Sequence, residues 1–152
     1  MLDIIKRHLA AFSSANWSDY RTTLAPDAVY EEVPSLERVV GVERFVSAAQ
    51  RWKTAFPDLK ATITRGYTIG DRVIVELEWE GTHAGPLEGS FGTLPATHRR
   101  GRVNAIALFT VKQAKIVESR NYFDVLTLLG QLGVTPSMSP STGVSRSPSA
   151  RL

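Results

Sequence analysis

The chain contains no cysteine among its 152 residues. That excludes disulfides and thiolate metal ligands, and leaves redox chemistry without a side-chain carrier. No apolar run approaches the roughly 20 residues needed to cross a bilayer. The N-terminus opens directly on an amphipathic pattern instead of a leader, so a cytoplasmic location with no membrane partner is expected. GxGxxG, P-loop, GxSxG and HExxH patterns are all missing, which leaves nucleotide, phosphate and zinc-hydrolase chemistry without support. No nucleic-acid motif is present. His8, His83 and His98 lie in unrelated segments without ligand spacing, so neither a metal nor another cofactor is expected.

What is present is ordinary globular composition, 43% hydrophobic and 22% charged, sized for one domain with a sizeable core. The net charge is +3, and Arg146 and Arg151 supply two of those units. One basic cluster, His98-Arg99-Arg100-Gly101-Arg102, reads as a solvated loop or as an anion contact near a pocket mouth. From Thr135 to Leu152 the chain is rich in Ser and Pro and has too little apolar area to offset the entropy of ordering. The expected division is a folded domain over residues 1–134 and a disordered tail over 135–152.

Helical periodicity comes first. Leu2, Ile5, Leu9 and Phe12 share a helix face, and Asn16 reads as the N-cap of a short second helix carrying Tyr20 and Leu24. A short strand over Ala28 to Val33 follows. The clearest helix carries Val42, Phe45, Ala49, Trp52 and Phe56 at alternating spacings of three and four, and Pro57 ends it. From Leu59 the period becomes two. Leu59, Ala61, Ile63, Tyr67 and Ile69 share one parity, Gly70-Asp71 turns the chain, and Val73, Val75, Leu77 and Trp79 face inward opposite Glu76, Glu78 and Glu80. Arg102 to Val111 is apolar on both parities, as suits a central strand. A turn at Lys112 to Lys115 leads into a last strand ending at Asp124, before a helix over Val125 to Leu132. The pattern predicts an α+β cone, three helices on one face of a curved antiparallel sheet, with a pocket between the layers.

Asp124 is flanked by Tyr122, Phe123, Val125 and Leu126. Apolar neighbours raise a carboxyl pKa towards the range useful for proton transfer, which makes Asp124 the first candidate for a catalytic base. The competing reading makes it the N-cap of the following helix. If it faces inward, Arg120 and Tyr122 share its parity, although Arg120 and Glu118 also suit an ion pair with each other or with a neighbouring strand. Extending the parity of Trp79 brings His83 to the pocket side, as an acid–base group or as a hydrogen-bonded structural residue. Trp52, Phe56, Tyr67, Trp79 and Tyr30 form either plain core or the lining of a cavity for a flat hydrophobic or aromatic small molecule.

Several segments together resemble the SnoaL-like polyketide cyclases, or ester cyclases, of the nuclear transport factor 2-like superfamily. They are Leu24-Ala-Pro-Asp-Ala-Val-Tyr30, Phe56-Pro-Asp-Leu59, Gly81-Thr-His-Ala-Gly-Pro86, Pro95-Ala-Thr97, Lys115 to Asp124, and Leu128-Leu-Gly-Gln-Leu-Gly133. The resemblance implies a cone-shaped α+β fold and cofactor-independent ring closure of an aromatic polyketide ester, with the family's acid/base Asp falling on Asp124. Two departures stand out: His98-Arg99-Arg100 where relatives often have Gly, and a Lys112-Gln-Ala-Lys115 turn where Gly-Gly or Asp-Gly is common. The same fold hosts epoxide hydrolases, isomerases and binding proteins without catalysis. It also implies a homodimer through the outer sheet face, where Ile74, Ile106 and Leu108 would otherwise meet water.

Overall fold

The computed structural model describes residues 1–89 and 91–134. The expected tail, 135–152, lies outside them. Two helices lead, α1 (Leu2–Ser13) and α2 (Trp17–Thr22), followed by β1 (Leu24–Glu32), a 3₁₀ turn (Val33–Ser35), β2 (Glu37–Val40) and α3 (Val42–Ala55). Then come β3 (Lys60–Ile69), β4 (Arg72–Thr82), a small hairpin of β5 (Leu87–Gly89) and β6 (Gly92–Leu94), β7 (Arg100–Lys112), β8 (Lys115–Phe123) and α4 (Val125–Gln131). Asn16 caps α2 by accepting the Asp19 N–H at 3.1 Å. Gly41 at φ 100° turns the chain into α3, a conformation costly for any residue with a Cβ.

The main sheet has the order β2-β1-β8-β7-β4-β3. It is mixed, not purely antiparallel, because β1 and β8 run parallel. The α+β cone is as expected. β2 and the β5–β6 hairpin are too short to show a period of two in the sequence. Core side chains from α1 and α3, among them Ile5, Phe45 and Val46, pack against Val73, Val75, Leu77 and Phe109 on the inner face of the sheet.

Two bulges decide which side chains face in. In β3 the register shifts between Ile63 and Arg65, so Gly66 instead of Tyr67 faces the helices, beneath Leu2. Tyr67 is consequently 49% exposed and Ile69 66% exposed, which removes Tyr67 from the cavity lining. In β8 a shift opposite Thr110 and Val111 separates Ile116, buried, from Ser119, also buried three residues later. Past that bulge the inward residues are Ser119, Asn121 and Phe123, opposite Phe109, Ala107 and Ala105. Arg120 and Tyr122 face outward, opposite Leu108 and Ile106.

Two arginines of the basic cluster make ion pairs. Arg102 reaches Glu78 at 2.5 Å and Arg100 pairs with Glu80, which ties two acids of the β4 row to β7 within one chain, while Glu76 pairs with Arg65 of β3 at 3.5 Å. Arg120 instead bonds Glu31 at 2.8 Å, with Glu118 at 3.7 Å. In the turn before β8, Gln113 and Ala114 both adopt positive φ, 48° and 56°. That is the geometry for which Asn-Gly or Gly-Gly is favoured, so the departure from glycine costs strain in the turn and leaves the pairing of Lys112 with Lys115 intact.

Candidate functional site

Between helices and sheet lies a cavity of about 100 Å³. Trp52 and Phe56 of α3 and its C-terminus, Trp79 of β4 and Tyr30 of β1 line it, together with Phe12, Phe45 and Phe109. The polar groups on its wall are few: His8, Tyr20, Tyr30, Glu32, Ser119 and Asn121. Among the described residues Glu32 is the one carboxylate in this lining.

Glu32 is the last residue of β1 and is 6% exposed. Its Oε2 accepts from the Tyr30 hydroxyl at 2.7 Å and from Trp52 Nε1 at 2.8 Å, while Oε1 accepts from the Ser35 hydroxyl at 2.8 Å. An ionised carboxylate offers about four acceptor positions, so one is left for a ligand. The Tyr30 hydroxyl is held protonated, first by burial and then by the neighbouring Glu32 charge, which raise its pKa well above the usual phenol. Glu32 and Trp52 also line a second, more polar cavity of about 390 Å³ with Arg51, Glu37 and the β5 strand. The carboxylate therefore stands at the boundary between an apolar chamber and a polar vestibule. Sequence reasoning missed Glu32 because it looked like one of two consecutive acids in a short strand. The readable signal was its separation of two residues from Tyr30, which puts both on one face.

Asp124 is placed elsewhere. It is solvent-exposed and absent from the cavity wall. It caps α4, accepting the Thr127 N–H at 3.0 Å and the Thr127 hydroxyl at 2.5 Å. Those bonds, the hydroxyl foremost, hold its pKa below the usual carboxylate value. The expectation of an inward carboxyl with a raised pKa is thus corrected: three residues beyond the inward Asn121, the strand period points Asp124 out. Tyr122 and Arg120 share that outward face and do not reach the cavity.

His83 is fully buried but does not line the cavity. β4 ends at Thr82, and the chain then packs on the end of α3, where Ala84 and Gly85 donate their N–H groups to Ala55 O at 3.0 and 3.1 Å. A Cβ on Gly85 would lie 2.1 Å from Thr54 O, so this approach requires glycine. His83 Nδ1 accepts the Thr97 N–H at 3.2 Å, and its ring lies 5.2 Å from Phe56, which stands between it and the cavity. Burial lowers its pKa. The Gly81-Thr-His-Ala-Gly-Pro86 segment is accordingly a packing device in this chain. Among the described residues, no three potential His, Cys, Asp or Glu ligands gather into a metal-binding group. No helix among them is long and apolar enough to cross a membrane.

Comparison with curated proteins gives no match. Solved structures give many. A protein of Jannaschia sp. CCS1 described as a SnoaL-like polyketide cyclase superposes with a TM-score of 0.79 at 22% identity, over 89% of this chain and 92% of that one. IdmH of Streptomyces antibioticus, described as a polyketide cyclase, gives 0.73 at 28% identity over 87% and 97%. An LEH-like epoxide hydrolase of M. tuberculosis gives 0.67 at 21% identity over 86% of each chain, and shows that the fold also carries other chemistry. The family model for SnoaL-like polyketide cyclases matches residues 2–132, which takes in every helix and strand described above. With fold and sequence pattern in agreement over that span, the chain belongs to the SnoaL-like polyketide cyclase family.

Proposed function

We propose that the protein is a cofactor-independent acid–base enzyme that removes a proton next to a carbonyl of an aromatic or polyketide-like molecule, leading to aldol-type ring closure or a related proton transfer. The observation that carries this reading is the position of Glu32, a carboxylate on the wall of an otherwise mostly aromatic chamber. Glu32 takes the role of base that the family resemblance lays on Asp124. The Tyr30 hydroxyl and Trp52 Nε1 orient it, and the rings of Phe56 and Trp79 hold a flat substrate. The engagement of three of the four acceptor positions of Glu32 favours a second reading, a binding protein of the same fold that uses the carboxylate only as structure. One experiment separates the two. Aromatic ketones and β-keto esters are screened for quenching of tryptophan fluorescence, and the binders are incubated in D₂O. Gain of deuterium at the acidic carbon, read by mass, is expected of the enzyme; binding without exchange or conversion sinks the catalytic reading.

Assembly as a homodimer is part of the same proposal. The outer sheet face exposes Ile106 at 46% beside Tyr122 at 39%, with Ile74 and Leu108 in register behind them. Such a patch suits a second copy of the chain. Sedimentation should give a dimer that Ile106→Lys dissociates, and a monomeric wild type would reject the assembly.

A further inference from the structure

His8 sits where α1 meets α2, 3% exposed, and forms part of the cavity wall. Its ring stacks on Tyr20 with centroids 4.1 Å apart and meets the edges of Phe45 and Phe109, each at 5.9 Å. Two short contacts determine where its proton lies. Thr23 Oγ1 is 2.6 Å from Tyr20 O. Two oxygens that close need a proton between them, and a carbonyl has none, so the Thr23 hydroxyl hydrogen is committed to Tyr20 O. His8 Nδ1 lies 2.7 Å from the same Thr23 Oγ1. With the hydroxyl proton already used, Nδ1 must supply the hydrogen and Oγ1 accepts it.

The other nitrogen, Nε2, therefore carries a lone pair. Among the described residues no hydrogen bond satisfies it. Burial strengthens the assignment, because it lowers the His8 pKa to about 3 and keeps the ring neutral. His83 shows the contrast. There Nδ1 meets both the Thr97 hydroxyl at 3.0 Å and the Thr97 N–H at 3.2 Å, and Nε2 is fully covered without a partner among the described residues. His8 Nε2 is an acceptor beside a chamber, whereas His83 Nε2 is sealed in the core.

We propose that His8 is the specificity residue of the cavity, binding a neutral phenolic or enolic hydroxyl as hydrogen-bond donor to Nε2 while the ligand ring lies among Phe12, Tyr20, Phe45 and Phe109. This rests on the reading that the cavity is the ligand site, and it narrows the ligand to hydroxylated rings and enols. A ligand presenting only a carbonyl at this end would place two acceptors against each other. A neutral imidazole also gives no charge to hold a phenolate, so the hydroxyl enters protonated.

The probes are phenol and toluene, nearly equal in shape and differing in the donor. Calorimetry on the full chain should show the phenol-to-toluene affinity ratio falling about 10-fold in His8→Phe, the cost of stranding one buried hydroxyl. Thr23→Val keeps the imidazole but frees its tautomer, and should lower the same ratio. An unchanged ratio in a folded variant, or no measurable binding of phenol to the wild type, overturns the proposal. Nitrogen-15 spectra of the wild type test it without any variant: Nδ1 should be the protonated nitrogen, and a proton on Nε2 would overturn it. The outcome is separable from that of Glu32. Phenol selectivity through His8 with no proton exchange anywhere would leave this inference standing and remove the enzyme reading. Exchange dependent on Glu32 with a proton on His8 Nε2 would do the reverse.

Discussion

β1 and β8 lie side by side and run parallel, and β1 ends in a carboxylate while β8 is followed by one, each leading into a helical segment, yet the two acids have opposite surroundings. Glu32 pairs in register with Asn121, faces the cavity and is held by three donors from three different residues. Asp124 lies three residues past Asn121, faces water and spends both oxygens on one residue, Thr127. Apolar neighbours in sequence do not bury a carboxylate; strand parity does. The arrangement at Glu32 includes one long-range bond, from Trp52 twenty residues on, whereas that at Asp124 is wholly local and shared by any well-capped helix.

Acid titration should separate the interior from the surface most clearly. His8 has a folded pKa depressed from 6.5 to about 3, so the unfolded chain binds its proton first and stability falls as pH drops from about 6.5 towards 3. The full window corresponds to roughly 4–5 kcal/mol, at about 1.4 kcal/mol per unit. Urea unfolding across that range should show the slope, and His8→Phe should flatten it; a slope that survives in the variant would assign the effect elsewhere. Asp124, with its pKa depressed from 3.8, contributes stability present above that value and lost only below it. The two windows should not coincide.

A smaller effect is expected from the donors of Glu32. Trp52→Phe leaves a buried acceptor with one bond fewer and should cost about 1–3 kcal/mol by urea denaturation. No loss would mean that Trp52 Nε1 and Glu32 do not meet in solution. Smallest of all, Asp124→Asn keeps an N-capping side chain and should lower Tm only slightly. A collapse of stability there would show that the cap does more than the geometry implies.

Much of the fold was legible from the chain. The heptad-like spacing from Val42 to Phe56, the Asn16 cap and the parity of Val73, Val75, Leu77 and Trp79 are each carried by residues close in sequence, and each corresponds to an element or face in the structure. The site was less legible because bulges leave no local mark. One extra residue in β8 exchanges Arg120, Tyr122 and Asp124 for Ser119, Asn121 and Phe123 on the inner face, and one in β3 turns Tyr67 out. Trp52, Phe56, Trp79 and Tyr30 reach the cavity because their helix and strand faces are regular. His8 was read only as a histidine without metal-ligand spacing, since its tautomer depends on Thr23, fifteen residues away, and on the carbonyl of Tyr20.

The central claim is that proton transfer belongs to the carboxylate on the cavity wall. Its most direct test is deuterium exchange into a carbon acid that the wild-type chain exchanges, measured for Glu32→Gln and Asp124→Asn in parallel. The account predicts a loss of about 10²- to 10⁴-fold for Glu32→Gln, with Asp124→Asn close to the wild type. Full exchange in a folded Glu32→Gln, with the loss falling on Asp124→Asn, would contradict it.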